Sequence, residues 1–216
     1  MLSNRYDILV MATGSGAGFP SYISAEEAER IKGVFVYRNI SDLEKIMDYA
    51  ELDHISSASV VGGGLLGLEA AKAVYDIPSI PEVSILIRQN YPLNRQLDSS
   101  AGELVLRKIE AMGVKVLTQC EPQAITTRID ENGDEIFTGY TTSDGEHIKS
   151  DLTIMAIGIS PRDELAKSSG IDCHKRGGII VGDDLMTSGQ DIYAIGECAN
   201  WRGNVSPSFE WPEVRR

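Results

Sequence analysis

The sequence holds only three cysteines, Cys120, Cys173 and Cys198, and only three histidines, His54, His147 and His174. None of the cysteines stands in a Cys-x-x-Cys pair. Their spacing excludes a disulfide scaffold, and equally a cysteine-only zinc or iron–sulfur site built from this chain. The scattered histidines add no metal-ligand cluster, so no metal is expected. Positive charge is scarce: 20 lysines and arginines against 32 aspartates and glutamates leave a formal charge of −12. No basic block is present, which argues against nucleic acid or an anionic membrane as partner. No apolar run approaches the roughly 18 residues of a membrane span. Residues 1–7 contain no apolar signal core, so a cytoplasmic location is expected. What remains is 216 residues, 42% hydrophobic and 24% charged, the mix of a soluble globular chain.

Glycine is plentiful, with 21 residues, and several glycines punctuate alternating strands and helices. Tyr6 to Ala12 reads as a buried strand that stops at Thr13-Gly14. Ser24-x-x-Glu27 and Ser41-x-x-Glu44 each have the form of a capping box; the second opens a helix with Leu43, Ile46, Met47 and Ala50 on one stripe. Strands are predicted at Val34 to Tyr37, Ala58 to Val61, Val83 to Ile87, Val114 to Thr118, Thr153 to Ile157, Ile179 to Val181 and Ile192 to Ile195. Helices are predicted from Leu65 to about Tyr75, and from the box Ser100-x-x-Glu103 to Gly113. Asp130 to Asp134 and Ser143 to Gly145 read as tight turns between strands. The alternation points to an α/β fold with a parallel sheet, and the two turns to a small antiparallel extension. Residues 201–216 break the pattern, as a surface tail or as the point where the chain leaves its fold.

Gly62-x-Gly64-x-x-Gly67 matches the dinucleotide fingerprint, with a strand before it and a helix opening on it. The first glycine allows the sharp turn, the second admits the pyrophosphate, and the third lets helix and strand pack closely. A turn that merely packs is the alternative. An NAD-type site carries an acid about 20 residues further on, to accept from the ribose 2′-hydroxyl. Here Val83 to Ile87 ends in Arg88, and Arg95 follows. An arginine would bind a 2′-phosphate through charge-assisted bonds, so NADPH is the expected nucleotide. The alternative makes both arginines solvated surface charges. At the ends of the chain, Thr13-Gly14 and Gly196-Glu197 each follow a strand; a glycine beside a carboxylate, as at Gly196-Glu197, suits a sugar or ribityl hydroxyl, and a buried strand with a turn is the alternative for each. No side chain reads as a nucleophile or a general base.

Taken together, Tyr6 to Ser15, Gly62 to Ala71, Ile154 to Ala166 and Asp191 to Ala199 resemble the pyridine-nucleotide flavin oxidoreductases with two dinucleotide-binding domains. Arg95 to Asp98, Gly102 to Glu110 and Ile195 to Cys198 are most similar to the flavoprotein portion of assimilatory NAD(P)H nitrite reductases, especially the fungal type. The resemblance implies a Rossmann-like NAD(P)-binding domain at 39–160, flanked by partial FAD-binding segments at 1–38 and 161–200, with an irregular tail at 201–216. It implies NADPH or NADH and FAD as cofactors, with hydride transfer between them and no catalytic side chain. Gly62, Gly64, Leu65, Leu66 and Gly67 would hold the nicotinamide nucleotide pyrophosphate. Glu69 would sit near the nicotinamide, Arg88 and Arg95 at the 2′-phosphate, and Gly158 along the nucleotide. Thr13 and Gly14 would lie against the flavin nucleotide, and Gly196 and Glu197 against its ribityl chain. The family also carries a first glycine-rich unit for FAD, an interface domain and, in nitrite reductases, an iron–sulfur cluster and sirohaem. None is recognisable here, so the chain is expected to be an internal piece whose partners are small-molecule nucleotides and either the remainder of a larger flavoprotein or a second copy of itself. The rival expectation is a nucleotide-binding module without a flavin of its own.

Overall fold

A computed structural model describes residues 6–205. In chain order the elements are β1 (Leu9–Met11), β2 (Ser15–Ala17), α1 (Ala25–Arg30), β3 (Val34–Val36), α2 (Ile40–Ala50), β4 (Ser57–Val61), α3 (Leu65–Tyr75), β5 (Glu82–Leu86) and α4 (Ser99–Ala111). There follow β6 (Lys115–Leu117), β7 (Pro122–Ile129), β8 (Glu135–Thr142), β9 (His147–Lys149), β10 (Leu152–Met155), β11 (Ile159–Pro161) and α5 (Glu164–Ser168). The last are β12 (Ile179–Val181), β13 (Ile192–Ala194), a 3-10 turn over Gly196–Cys198 and β14 (Ala199–Trp201). The chain forms two compact units, one of residues 17–158 and one of the segments before and after it.

The middle unit is built on a five-stranded parallel sheet of order β3-β10-β4-β5-β6. Successive side chains of a strand point to opposite faces, and the core divides accordingly. Val60, Ile85 and Ile154 meet the helix side, where Ile46 and Ala50 of α2 and Ala70, Ala71 and Val74 of α3 are buried. Their neighbours Val61, Leu86 and Met155 meet the other side, against Phe137 and Tyr140 of β8 and Ala28 of α1. The antiparallel sheet β7-β8-β9 thus covers the second face, as the turns at Asp130–Asp134 and Ser143–Gly145 predict. The Tyr140 hydroxyl, fully buried, is hydrogen-bonded to the Thr153 hydroxyl.

Two boundaries differ from the sequence reading. Residues 17–38, expected with the flanking strips, fold with the middle unit because β3 pairs in register with β10, Val34 opposite Thr153 and Val36 opposite Met155. The second crossing falls at 158/159 rather than 160/161. The capping boxes also divide. Ser24 and Glu27 cap α1 reciprocally, as expected. For α2 the reciprocal pair is Asn39 and Asp42 rather than Ser41 and Glu44, because the helix begins two residues earlier and Asn39 holds the extended conformation of a cap. In α4 the cap is Asp98, which accepts from Ala101 N at 2.9 Å, rather than Ser100.

Asp151 ties the start of β10 to the start of β4. Its carboxylate accepts from the amides of Ser56 and Ser57, both at 3.0 Å, and from their hydroxyls at 3.1 and 2.8 Å. Burial pushes this carboxyl upward, but the bonds from Ser57 and Ser56 outweigh it and hold it below the usual carboxylate range. A carboxylate depressed in the folded state stabilises above the unfolded value of about 3.9, and the gain is lost as pH falls through the folded value. Asp151→Asn is therefore expected to lower stability at pH 7 by about 1–2 kcal/mol. Urea unfolding curves of variant and wild type should converge as the pH drops below about 4.

The flanking unit pairs β1 with β13 and β12 with β14, both in parallel. Its core holds Met11, Ala166, Ile171, Ile179, Val181, Ala194 and Cys198. The first strand is shorter than the predicted Tyr6 to Ala12 and is not buried throughout: Ile8 is 62% and Val10 51% exposed. It pairs with β13 in a two-stranded sheet, and among the described residues the face that carries Ile8 and Val10 is uncovered. Trp201, expected to begin an irregular tail, instead ends β14, and its indole N–H donates to Asp183 at 2.7 Å. Residues 206–216, the rest of that expected tail, lie outside the described residues.

Candidate functional site

In the middle unit the glycine loop occupies the turn from β4 into α3. Its three glycines have three different surroundings. A Cβ at Gly62, where φ is +126°, would lie 2.3 Å from the Ala156 carbonyl oxygen, and one at Gly67 would lie 2.1 Å from the Gly62 carbonyl oxygen. Both contacts are to backbone, so neither position accepts a side chain without moving the chain. A Cβ at Gly64 would meet nothing within 4 Å. The first and third glycines thus let strand, helix and the end of β10 close on one another, and the second leaves open space.

That space lies at the start of α3. Gly64 is the N-cap and contributes no side-chain bond to the first turn. The opening N–H groups at Leu65 and Leu66 therefore have no side-chain cap, and the helix end carries a partial positive charge of about +0.5. Open space, an uncapped helix start and a closely packed glycine frame together fit a phosphate group. Glu69 is exposed further along α3. Gly158, with φ +122° and open space around it, follows the end of β10.

The loop after β5 is fastened to the glycine loop by a bond the sequence did not announce: Leu93 N donates to the Gly63 carbonyl at 2.8 Å. Leu93 adopts φ +56° to do so. Tyr91 packs so closely on α4 that a Cβ at Gly102 would lie 2.0 Å from its ring. Arg88 and Arg95 flank this fastened loop, and both are exposed. Arg88 forms an ion pair with Glu121 at 3.5 Å. Among the described residues Arg95 forms no ion pair.

In the flanking unit Thr13-Gly14 and Gly196-Glu197 follow the C-terminal ends of the paired parallel strands β1 and β13, the end at which open α/β sheets place ligands. Gly14 and Gly196 have φ +70° and +74°, and a Cβ at either would meet nothing within 4 Å. The Thr13 hydroxyl donates to the Arg162 carbonyl at 2.5 Å. The Ser15 hydroxyl donates to Glu197 Oε2 and ties the two turns together. Nothing in the local sequence pattern around Ser15 points to Glu197, 182 residues away.

Two of the three thiols are pushed away from the thiolate form. Burial pushes Cys120 up, with the Asp144 carboxylate adding to it, and burial does the same at Cys173. Cys198 is fully buried, with its sulfur against the carbonyls of Met11 and Ile195. A cavity of about 850 Å³ between β6 and the turn at Thr142 to Glu146 is lined by none of the expected site residues. Among the described residues no group of three or more His, Cys, Asp or Glu could hold a metal. No helix among them is long and apolar enough to cross a membrane.

The family described as pyridine nucleotide-disulphide oxidoreductase matches residues 3–212. Nitrite reductase [NAD(P)H] of Emericella nidulans is 46% identical over 97% of this chain and 19% of its own length. The nitrite reductase (NADH) large subunit of Escherichia coli is 39% identical over 97% of this chain and 24% of its own length. Among solved structures, a NAD-dependent persulfide reductase from A. fulgidus superposes with a TM-score of 0.77 at 29% identity, covering 90% of this chain and 34% of that one. The chain thus spans about a fifth to a quarter of the two curated relatives.

Proposed function

The chain belongs to the pyridine nucleotide-disulphide oxidoreductase family, and from that premise we propose that it is the nucleotide-handling part of an NAD(P)H-dependent flavoprotein of the nitrite reductase kind. The observation that carries the reading is the open space at Gly64 between two glycines that admit no side chain. Gly62, Gly64 and Gly67 hold the pyrophosphate of the nicotinamide nucleotide, with the N–H groups of Leu65 and Leu66 directed to its oxygens. Gly158 lies along the nucleotide, and Glu69 sits near its nicotinamide. Thr13, Gly14, Gly196 and Glu197 border FAD, the glycines by admitting close approach and Glu197 by accepting from a hydroxyl. The chemistry supplied by the bound pair is hydride transfer from nicotinamide to flavin. This chain's own residues bind and orient; no activated nucleophile is needed. The similarity to nitrite reductases supports nitrite as the final acceptor of the longer protein.

Arg88 and Arg95 select the nucleotide that carries a 2′-phosphate. Arg88→Ala is expected to weaken NADPH binding at least about tenfold, the value of one charge-assisted bond, and to leave NADH within about twofold. Fluorescence titration with each nucleotide checks this. Equal losses for the two would remove the 2′-phosphate assignment.

A second reading, nucleotide binding without a flavin, is favoured by one feature of the flanking unit. Among its described residues no glycine turn opens an α-helix, and its helix α5 has five residues. Incubation with FAD followed by gel filtration decides between them. A retained visible flavin band means that Thr13, Gly14, Gly196 and Glu197 suffice to hold FAD. A colourless chain that still binds NADPH establishes the second reading for this chain.

A further inference from the structure

The acid that an NAD-type site carries at the end of its second strand is missing from β5, which runs into Arg88. Tertiary structure brings a carboxylate to that place from elsewhere. Ile87 N donates to the Leu117 carbonyl at 2.9 Å, Gln119 N to the Gln89 carbonyl at 3.0 Å, and Cys120 N to the Ile87 carbonyl at 2.9 Å. Gln119 takes φ +52° within this lacing. The three bonds fasten the end of β5 to the end of β6 and the segment that follows it. They leave Glu121 beside Arg88, with Oε1 3.5 Å from Nη1. The Arg88 side chain is 69% exposed and that of Glu121 58%. An exposed pair of this kind is weak, so the guanidinium is free to turn to a stronger anion.

We propose that Glu121 is a specificity-determining residue of the dinucleotide site, whose carboxylate competes with a ribose 2′-phosphate for Arg88 and so keeps NADH in use beside NADPH. The proposal rests on the reading of Gly62 to Gly67 as that site. Two effects act in the same direction. The carboxylate neutralises the cation a 2′-phosphate requires, and it repels a phosphate that carries close to two negative charges. NADH, with a neutral 2′-hydroxyl, meets neither effect. The residue contributes through charge and position, and it takes no part in hydride transfer.

The test is a fluorescence titration of the full chain with NADPH and with NADH, in wild type, Glu121→Gln, Glu121→Lys, Arg88→Ala, Gly64→Ala and the double variant Glu121→Gln/Arg88→Ala. Glutamine keeps the size and an acceptor while removing the charge at an exposed position. Glu121→Gln is expected to tighten NADPH roughly threefold to tenfold and to leave NADH within about twofold. Glu121→Lys should tighten NADPH further. The gain should shrink in the double variant, where only the direct repulsion between Glu121 and the phosphate is left to remove. Equal tightening of both nucleotides overturns the proposal, because it would mark a general charge effect. Unchanged NADPH binding in Glu121→Gln also overturns it. In that case a weakening by Arg88→Ala leaves the dinucleotide reading standing. If Arg88→Ala and Gly64→Ala both bind like wild type, or if wild type binds neither nucleotide, the dinucleotide reading falls too.

Discussion

Gly64→Ala is expected to abolish dinucleotide binding while leaving the fold intact. The backbone there has φ −82° and ψ −180°, a conformation open to alanine. The added Cβ meets no protein atom within 4 Å. Replacing a glycine N-cap by alanine costs under about 1 kcal/mol. The methyl group would instead stand in the space proposed for the pyrophosphate and push it off the N–H groups of α3. Loss of two charge-assisted bonds, each about 1.5–3 kcal/mol, weakens binding about a hundredfold or more. Titration with NADPH, paired with a thermal unfolding curve, checks both halves. Wild-type affinity in a folded variant would mean that the glycines serve packing alone.

Gly67→Ala should show the opposite pattern, a loss of stability that precedes any question of binding. Its Cβ would stand 2.1 Å from the Gly62 carbonyl oxygen, and that carbonyl belongs to a turn already held by Gly62 N donating to Leu86 O at 3.0 Å. Neither partner is a flexible side chain, so α3 must move away from β4. α3 buries Ala70, Ala71 and Val74 against the sheet, and all three contacts move with it. The expected cost is about 3 kcal/mol, at the upper end for overpacking, or a fall of about 6–12 °C in Tm for a chain of this size. A Tm within about 2 °C of wild type would show that the turn relaxes freely, and the close-packing role of the third glycine would be withdrawn. The pair of variants separates the two duties of one loop: Gly67 and Gly62 make the frame, and Gly64 keeps the opening.

Much of this architecture was legible in local pattern. The alternation of strands and helices, the antiparallel extension behind two polar turns, and the strand–glycine–helix junction at Gly62 to Gly67 each depend on neighbours a few residues apart. Helix starts were less legible, because Asn39 and Asp98 compete with Ser41 and Ser100 for the cap and only the backbone conformation decides. The length and exposure of the first strand were not legible either. An apolar run from Tyr6 to Ala12 looks the same whether one face is covered or both, and only the packing around the strand settles it.

The sequence by itself determined the class of fold and the type of loop, since glycine spacing, apolar period and turn chemistry all act within a few residues along the chain. Only the tertiary structure decided which unit residues 17–38 join, because strand pairing such as that of β3 with β10 is a choice among distant partners. It alone showed that Ala156 closes on Gly62, that Leu93 fastens the Arg88 to Arg95 loop to Gly63, and that Ser15 meets Glu197. It alone supplied an acid beside Arg88, from Glu121. Each of these contacts joins segments far apart in the chain. Their energies depend on distances of a few ångströms that no local pattern encodes, and packing brings those segments together.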